Sequence, residues 1–140
     1  MKKKIILLIE DDELDIISFQ RTLSKFNLEY ELSTAYNGVE ALIILNDPTQ
    51  IKPDLILLDL SMPIMNGFEF LEILRKDRNL NELNIFVMTT SSETADRIMA
   101  EKYEIKGYFI KPLSYTENTK KADSMEAFVQ FHLRNILSHS

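Results

Sequence analysis

Apolar residues fall into short runs, and the stretches between them carry apolar positions at helical spacing. Ile5 to Ile9 are all apolar, and Lys4 to Ile9 has strand length without alternation, as expected of a strand covered on both faces. Leu14, Ile17, Leu23 and Phe26 then lie about one helical turn or its multiples apart, which predicts a helix. Tyr30 to Tyr36 reads as a second strand and Asn37-Gly38 as a turn. Val39 to Leu45 reads as a helix that Asp47-Pro48 stops. Leu55 to Leu58 is the third strand. Gly67 to Lys76 is a helix with Phe68, Leu71 and Leu74 on one side. Ile85 to Met88, Ser91 to Lys102 and Gly107 to Ile110 continue as strand, helix and strand. A last helix is expected over Ser124 to Leu137, with Phe128, Phe131 and Ile136 apolar.

Strand and helix alternating over the whole length predict an α/β fold: a five-stranded parallel sheet with helices on both faces. The expected strand order is 2-1-3-4-5. The length of 140 residues fits one domain, 1-140, and leaves no room for a second core of useful size. No internal repeat or interior linker appears. The one stretch of low hydrophobicity is Ser114 to Asp123, between the last strand and the last helix.

Composition narrows the function. Hydrophobic residues make up 45% and charged residues 27%, an ordinary globular balance. A net charge of −6 argues against nonspecific attraction to nucleic acid or an anionic membrane. Cysteine is absent, which removes disulfides, thiolate metal sites and cysteine nucleophiles together. The apolar run Ile5 to Ile9 is far short of the ~20 residues of a membrane helix. Lys2-Lys3-Lys4 resembles the start of a secretory leader, but Glu10-Asp11-Asp12 stand where small residues at a cleavage site are needed. A cytoplasmic protein is expected.

The chemistry gathers where the strands end. Parallel strands bring their C-terminal ends to one edge, where open α/β sheets bind ligands. Glu10-Asp11-Asp12 follow the first strand and Asp59 the third. Thr89-Thr90-Ser91 follow the fourth, and Lys111-Pro112 the fifth. Carboxylates gathered on one edge repel one another unless a cation sits among them, and all-oxygen ligands suit Mg²⁺. Mg²⁺ bridges carboxylate and phosphoryl oxygens, and a lysine and a hydroxyl hold the remaining oxygens. Asp59, on a rigid strand end, is then a candidate nucleophile that carries an acyl phosphate.

Four motifs at these ends, Leu8-Ile9-Glu10-Asp11-Asp12, Asp59-Leu-Ser-Met-Pro63 with Gly67, Met88-Thr89-Thr90-Ser91 and Tyr108-Phe-Ile-Lys111-Pro112, carry a family resemblance. The sequence resembles a response-regulator receiver domain of two-component signalling, with the flavodoxin-like receiver fold, from Lys4 to about Leu137. The resemblance implies that Asp59 accepts a phosphoryl group from a phosphohistidine on a sensor histidine kinase. It implies Mg²⁺ held by Asp11, Asp59 and the backbone carbonyl of Ser61, with Glu10 acting largely through water. Lys111 would contact the phosphoryl group and Thr89 would move to hydrogen-bond it. Tyr108 would change rotamer in response, so that charge at one site is read by packing elsewhere. Ser61, Thr90 and Ser91 would modulate water access. The resemblance also suggests a cis Lys111-Pro112 bond.

Other residues carry plainer readings. Asp12 is expected to complement a helix dipole, Asn66-Gly67 to form a turn, and His132 and His139 to be surface residues. The connection at 113-123 is longer than such domains usually have. It is either a tolerated insertion or a partner surface, and similar connections occur in stand-alone receivers associated with bacteriophytochromes. Tyr115, Phe128, Phe131 and Leu137 offer apolar area to a homodimer formed through the last strand and last helices. The chain ends about where a receiver ends, so output is expected through a protein partner or onward phosphotransfer. The protein is thus expected to be a phosphoacceptor switch rather than an enzyme. A phosphorylation-independent interaction module would lack one of Asp11, Asp59, Thr89 or Lys111, and all are present. A haloacid-dehalogenase-type phosphatase needs a second acid where Ser61 stands. A flavin-binding relative would want a hydroxyl- and glycine-rich loop in place of Glu10-Asp11-Asp12.

Overall fold

The computed structural model describes residues 3–24, 29–90 and 93–111. The expected helix over 124–137, the connection at 113–123, and Phe26, Ser91, Pro112, Tyr115, His132 and His139 lie outside the described residues. Elements alternate as β1 (Lys4–Ile9), α1 (Glu13–Ser24), β2 (Tyr30–Ala35), α2 (Gly38–Asn46) and β3 (Leu55–Leu58). They continue as α3 (Gly67–Lys76), β4 (Ile85–Thr89), α4 (Thr94–Glu101) and β5 (Gly107–Ile110). The five strands are parallel and run in the order β2-β1-β3-β4-β5, as the sequence predicts.

The inner strands are continuous apolar runs because both their faces are covered. All four residues of β3 and all five of β4 are buried. Successive side chains point to opposite faces, and the core divides accordingly. Leu7, Ile9, Ile56, Leu58, Ile85 and Val87 pack with Ala41, Leu45, Phe70, Leu71, Leu74 and Ala100 from α2, α3 and α4. Ile6, Leu8, Leu55, Leu57, Phe86 and Met88 pack on the other face with Ile16, Phe19 and Leu23 of α1. The edge strand β2 instead alternates half-buried Tyr30, Leu32 and Thr34 with exposed Glu31 and Ser33.

Three local expectations change. The buried stripe of α1 is Ile16, Phe19, Thr22 and Leu23, whereas Leu14 and Ile17 are exposed. The helix carries enough apolar residues for two stripes, and packing on the sheet selects one. In α3 the buried face uses Phe70 with Leu71 and Leu74, and Phe68 is only half-buried. Asn37 and Asn66 act as helix caps rather than free turns: each side chain accepts from the backbone N–H three residues on, and Asn66 forms a capping box with Glu69.

At the sheet's opposite end, Arg75 braces two loops. Its guanidinium donates to the carbonyls of Tyr103, Asn81, Leu83 and Glu104 at 2.6 to 3.1 Å. Glu104 has a φ of 58°, and its carbonyl is one of the four acceptors. Among the described residues no helix is long and apolar enough to cross a membrane.

Candidate functional site

The sheet's hydrogen-bond ladder continues one residue past three strands and so fixes the backbone of the acidic rim. Glu10 N–H donates to Ala35 O at 2.9 Å, Asp59 N–H to Ile9 O at 3.0 Å, and Lys111 N–H to Thr89 O at 2.8 Å. Glu10, Asp59 and Lys111 therefore sit on a rigid frame although they are far apart in sequence. Glu10 and Asp59 are buried, and Asp11 is exposed beside them. One carboxylate oxygen from each of the three lies within 4.8 Å of the others. An all-oxygen donor set at this spacing fits a hard divalent cation such as Mg²⁺.

Lys111 closes the other side. Its ammonium donates to Glu10 Oε2 and, at 2.9 Å, to Asp15 Oδ2, and it lies 3.5 Å from Asp59 Oδ2. Burial pushes the Glu10 carboxyl up to about 8, with Asp59's charge adding to the rise and Lys111 opposing it. Burial also raises Asp59 above the usual carboxylate range, against the pull of Lys111 and of the Ser61 N–H. Burial alone would lower Lys111, but its bonds to Asp15 and Glu10 and the charge of Asp59 outweigh that and hold it above the ordinary lysine value.

The loop after β3 is shaped around Asp59. Ser61 N–H donates to Asp59 Oδ1 at 3.2 Å. Gly67, the first residue of α3, donates to Leu60 O at 3.0 Å. A Cβ on Gly67 would lie 2.7 Å from Leu60 Cα and 2.8 Å from Asp59 O, so glycine serves close approach here rather than the expected turn. Ile64, in the same loop, has a φ of 69°, costly for a β-branched residue, and its side chain is exposed. An open cleft of about 550 Å³ beside this loop is lined by Asp11, Ser61, Met62, Pro63, Asn66 and Asp96, among others.

The remaining expected residues are placed as follows. Asp12 caps α1, its Oδ1 accepting from the N–H groups of Leu14 and Asp15, in keeping with its plain reading. Thr89 is fully buried at the end of β4 and Thr90 is exposed after it. Tyr108 is buried in β5, with the Arg97 guanidinium 5.4 Å from its ring centroid. Asp15 was not singled out by sequence: as one of two acids in the first turn of α1 it reads as a dipole acid, and only the fold brings it to Lys111.

Comparison with known proteins establishes the family. Residues 6–123 match the response regulator receiver domain family. The chain belongs to the response regulator receiver domain family of two-component systems. Among curated proteins it is 29% identical to the response regulator Rcp1 of Synechocystis sp., over 89% of this chain and 88% of that protein. The solved Mn²⁺-bound form of Rcp1 superposes with a TM-score of 0.80 at 27% identity, covering 98% of this chain and 96% of that one. The phosphorylated cyanobacterial phytochrome response regulator RcpA superposes with a TM-score of 0.73 at 30% identity, covering 84% of each chain. Several other curated relatives are longer, and the chain spans about half their length.

Proposed function

We propose that this receiver is a phosphoacceptor switch. Asp59 takes a phosphoryl group from the phosphohistidine of a sensor histidine kinase, and the change is read by a protein partner or passed on. The observation that carries this reading is the convergence of Asp59 with Glu10, Asp11 and Lys111 at the strand ends. A carboxylate oxygen of Asp59 attacks phosphorus; the new O–P bond forms as the P–N bond to the donor imidazole breaks, and the electron pair returns to the ring nitrogen.

Asp11 and Asp59, with the Ser61 carbonyl, would hold Mg²⁺, and Glu10 would act through bound water. When bound, the cation would supply positive charge that offsets carboxylate repulsion and stabilises charge on the phosphoryl oxygens. Lys111 neutralises a phosphoryl oxygen, and the Thr89 hydroxyl donates to another. Tyr108, buried under Arg97, changes rotamer as Thr89 moves. Ser61, Thr90 and Ser91 govern water access to the acyl phosphate. The phosphorylated state of RcpA and the Mn²⁺ of Rcp1 support this assignment by likeness. RcpA is a cyanobacterial phytochrome response regulator, and likeness to it favours a phytochrome-type kinase, as in the bacteriophytochrome expectation, as the donor. The family match over residues 6–123 supports reading residues 1-140 as one receiver domain.

Incubation with acetyl phosphate and Mg²⁺ should add the mass of one phosphoryl group. Asp59→Asn should abolish the shift and keep the fold. Undiminished labelling of that variant would reject Asp59 as the acceptor and favour another group.

A further inference from the structure

Lys111 is held by a carboxylate outside the set that the motifs supply. Its ammonium has three N–H donors. Glu10 takes one and Asp15 Oδ2 takes another at 2.9 Å, while Asp59 Oδ2 stands farther off at 3.5 Å. Asp15 is fixed in this position by the cap beneath it, because Asp12 Oδ1 accepts from the Asp15 N–H at 3.2 Å and sets the start of α1. The three acceptors differ in their access to water. The Glu10 and Asp59 side chains are 1% and 6% exposed, whereas that of Asp15 is 36% exposed. Asp15 can release the ammonium and be solvated at little cost, and Glu10 cannot.

We propose that Asp15 is a positioning residue for Lys111, a competing carboxylate that shares the ammonium with Glu10 and Asp59 until a phosphoryl group draws it away. This rests on the phosphoacceptor reading and adds a regulator to it. Asp15 sets how readily the phosphorylated state forms. A dianionic phosphoryl group on Asp59 offers Lys111 stronger acceptors than a single carboxylate does, and the exchange costs the Asp15 contact. Removing that contact leaves Lys111 on Glu10 and free to turn to the phosphoryl oxygens.

The test is the affinity for beryllofluoride, a phosphoryl analogue, measured by fluorine NMR at saturating Mg²⁺. Asp15→Asn keeps the shape of the side chain and removes its charge. Because Asp15 is partly exposed to water, the gain expected is modest: about 2- to 5-fold tighter binding. Glu13→Gln removes an equal charge from an exposed position in the same turn and should leave the affinity unchanged. Unchanged or weaker binding by Asp15→Asn would overturn the proposal, and so would an equal gain in Glu13→Gln, which reports bulk charge alone. Failure of the unaltered protein to bind beryllofluoride would instead remove the phosphoacceptor reading itself, and this role of Asp15 with it.

Discussion

At the residue scale, the site is a contest between burial and charge, and Glu10 shows the outcome most clearly. Its carboxyl is raised to about 8 from an ordinary value of 4.5, first by burial and then by Asp59. A carboxyl whose folded-state value is raised favours folding when protonated, so its contribution is full below about 4.5 and is lost as the pH climbs to about 8. Asp59 shifts in the same direction. Lys111 is raised, so its charge persists across this window. The metal-free protein should therefore lose stability between pH 5.5 and 8. A divalent cation favours the ionised carboxylates, so stabilisation by Mg²⁺ should grow over the same interval. Thermal unfolding with and without Mg²⁺ at the two pH values checks this; a pH-independent difference would contradict it. Lys111→Ala should weaken the phosphorylation-driven change more than it lowers the melting temperature. A variant that still switches fully, judged by the near-UV signal of Tyr108 and its neighbours, would count against Lys111 as the phosphoryl contact.

At the element scale, the strands were legible and the helix faces only in part: Leu23, Leu71 and Leu74 are buried as expected, whereas Leu14 and Ile17 are exposed. Ile6 to Ile9 of β1, all of β3, and Ile85 to Met88 of β4 are buried apolar runs, and a run of that kind needs no partner to be recognised. The stripe of α1 was misphased because Leu14 and Ile17 compete with Ile16 and Phe19, and the choice belongs to the sheet beneath. The strand ends revealed Glu10, Asp11, Asp59, Thr89 and Lys111 as candidates, since topology alone brings them together. Asp15 was hidden because its role depends on where the cap at Asp12 points the first turn of α1. The junction of β3 and α3 yields a further prediction. A Cβ at Gly67 meets backbone atoms of Asp59 and Leu60 that cannot rotate away. Gly67→Ala should destabilise the fold by about 1–3 kcal/mol and slow labelling by acetyl phosphate, because the helix start must retreat from the acceptor loop. Urea unfolding and labelling rates measure the two effects; an unaltered labelling rate would show that the loop tolerates the displacement.

At the scale of the whole molecule, parallel topology is what makes the chemistry possible. Five strands that all run one way deliver residues from four distant segments to a single rim, and the ladder bonds beyond β1, β3 and β5 hold them there. Both faces of the sheet are packed, so the rim is rigid where Asp59 sits. The most direct test of the central claim is to trap the acyl phosphate. After reaction with acetyl phosphate and Mg²⁺, borohydride reduces a phosphoaspartate to homoserine, and peptide mass spectrometry locates it. Homoserine at position 59 and at no other aspartate is the result predicted. Homoserine elsewhere, or none at all in a protein that has bound Mg²⁺, would contradict it.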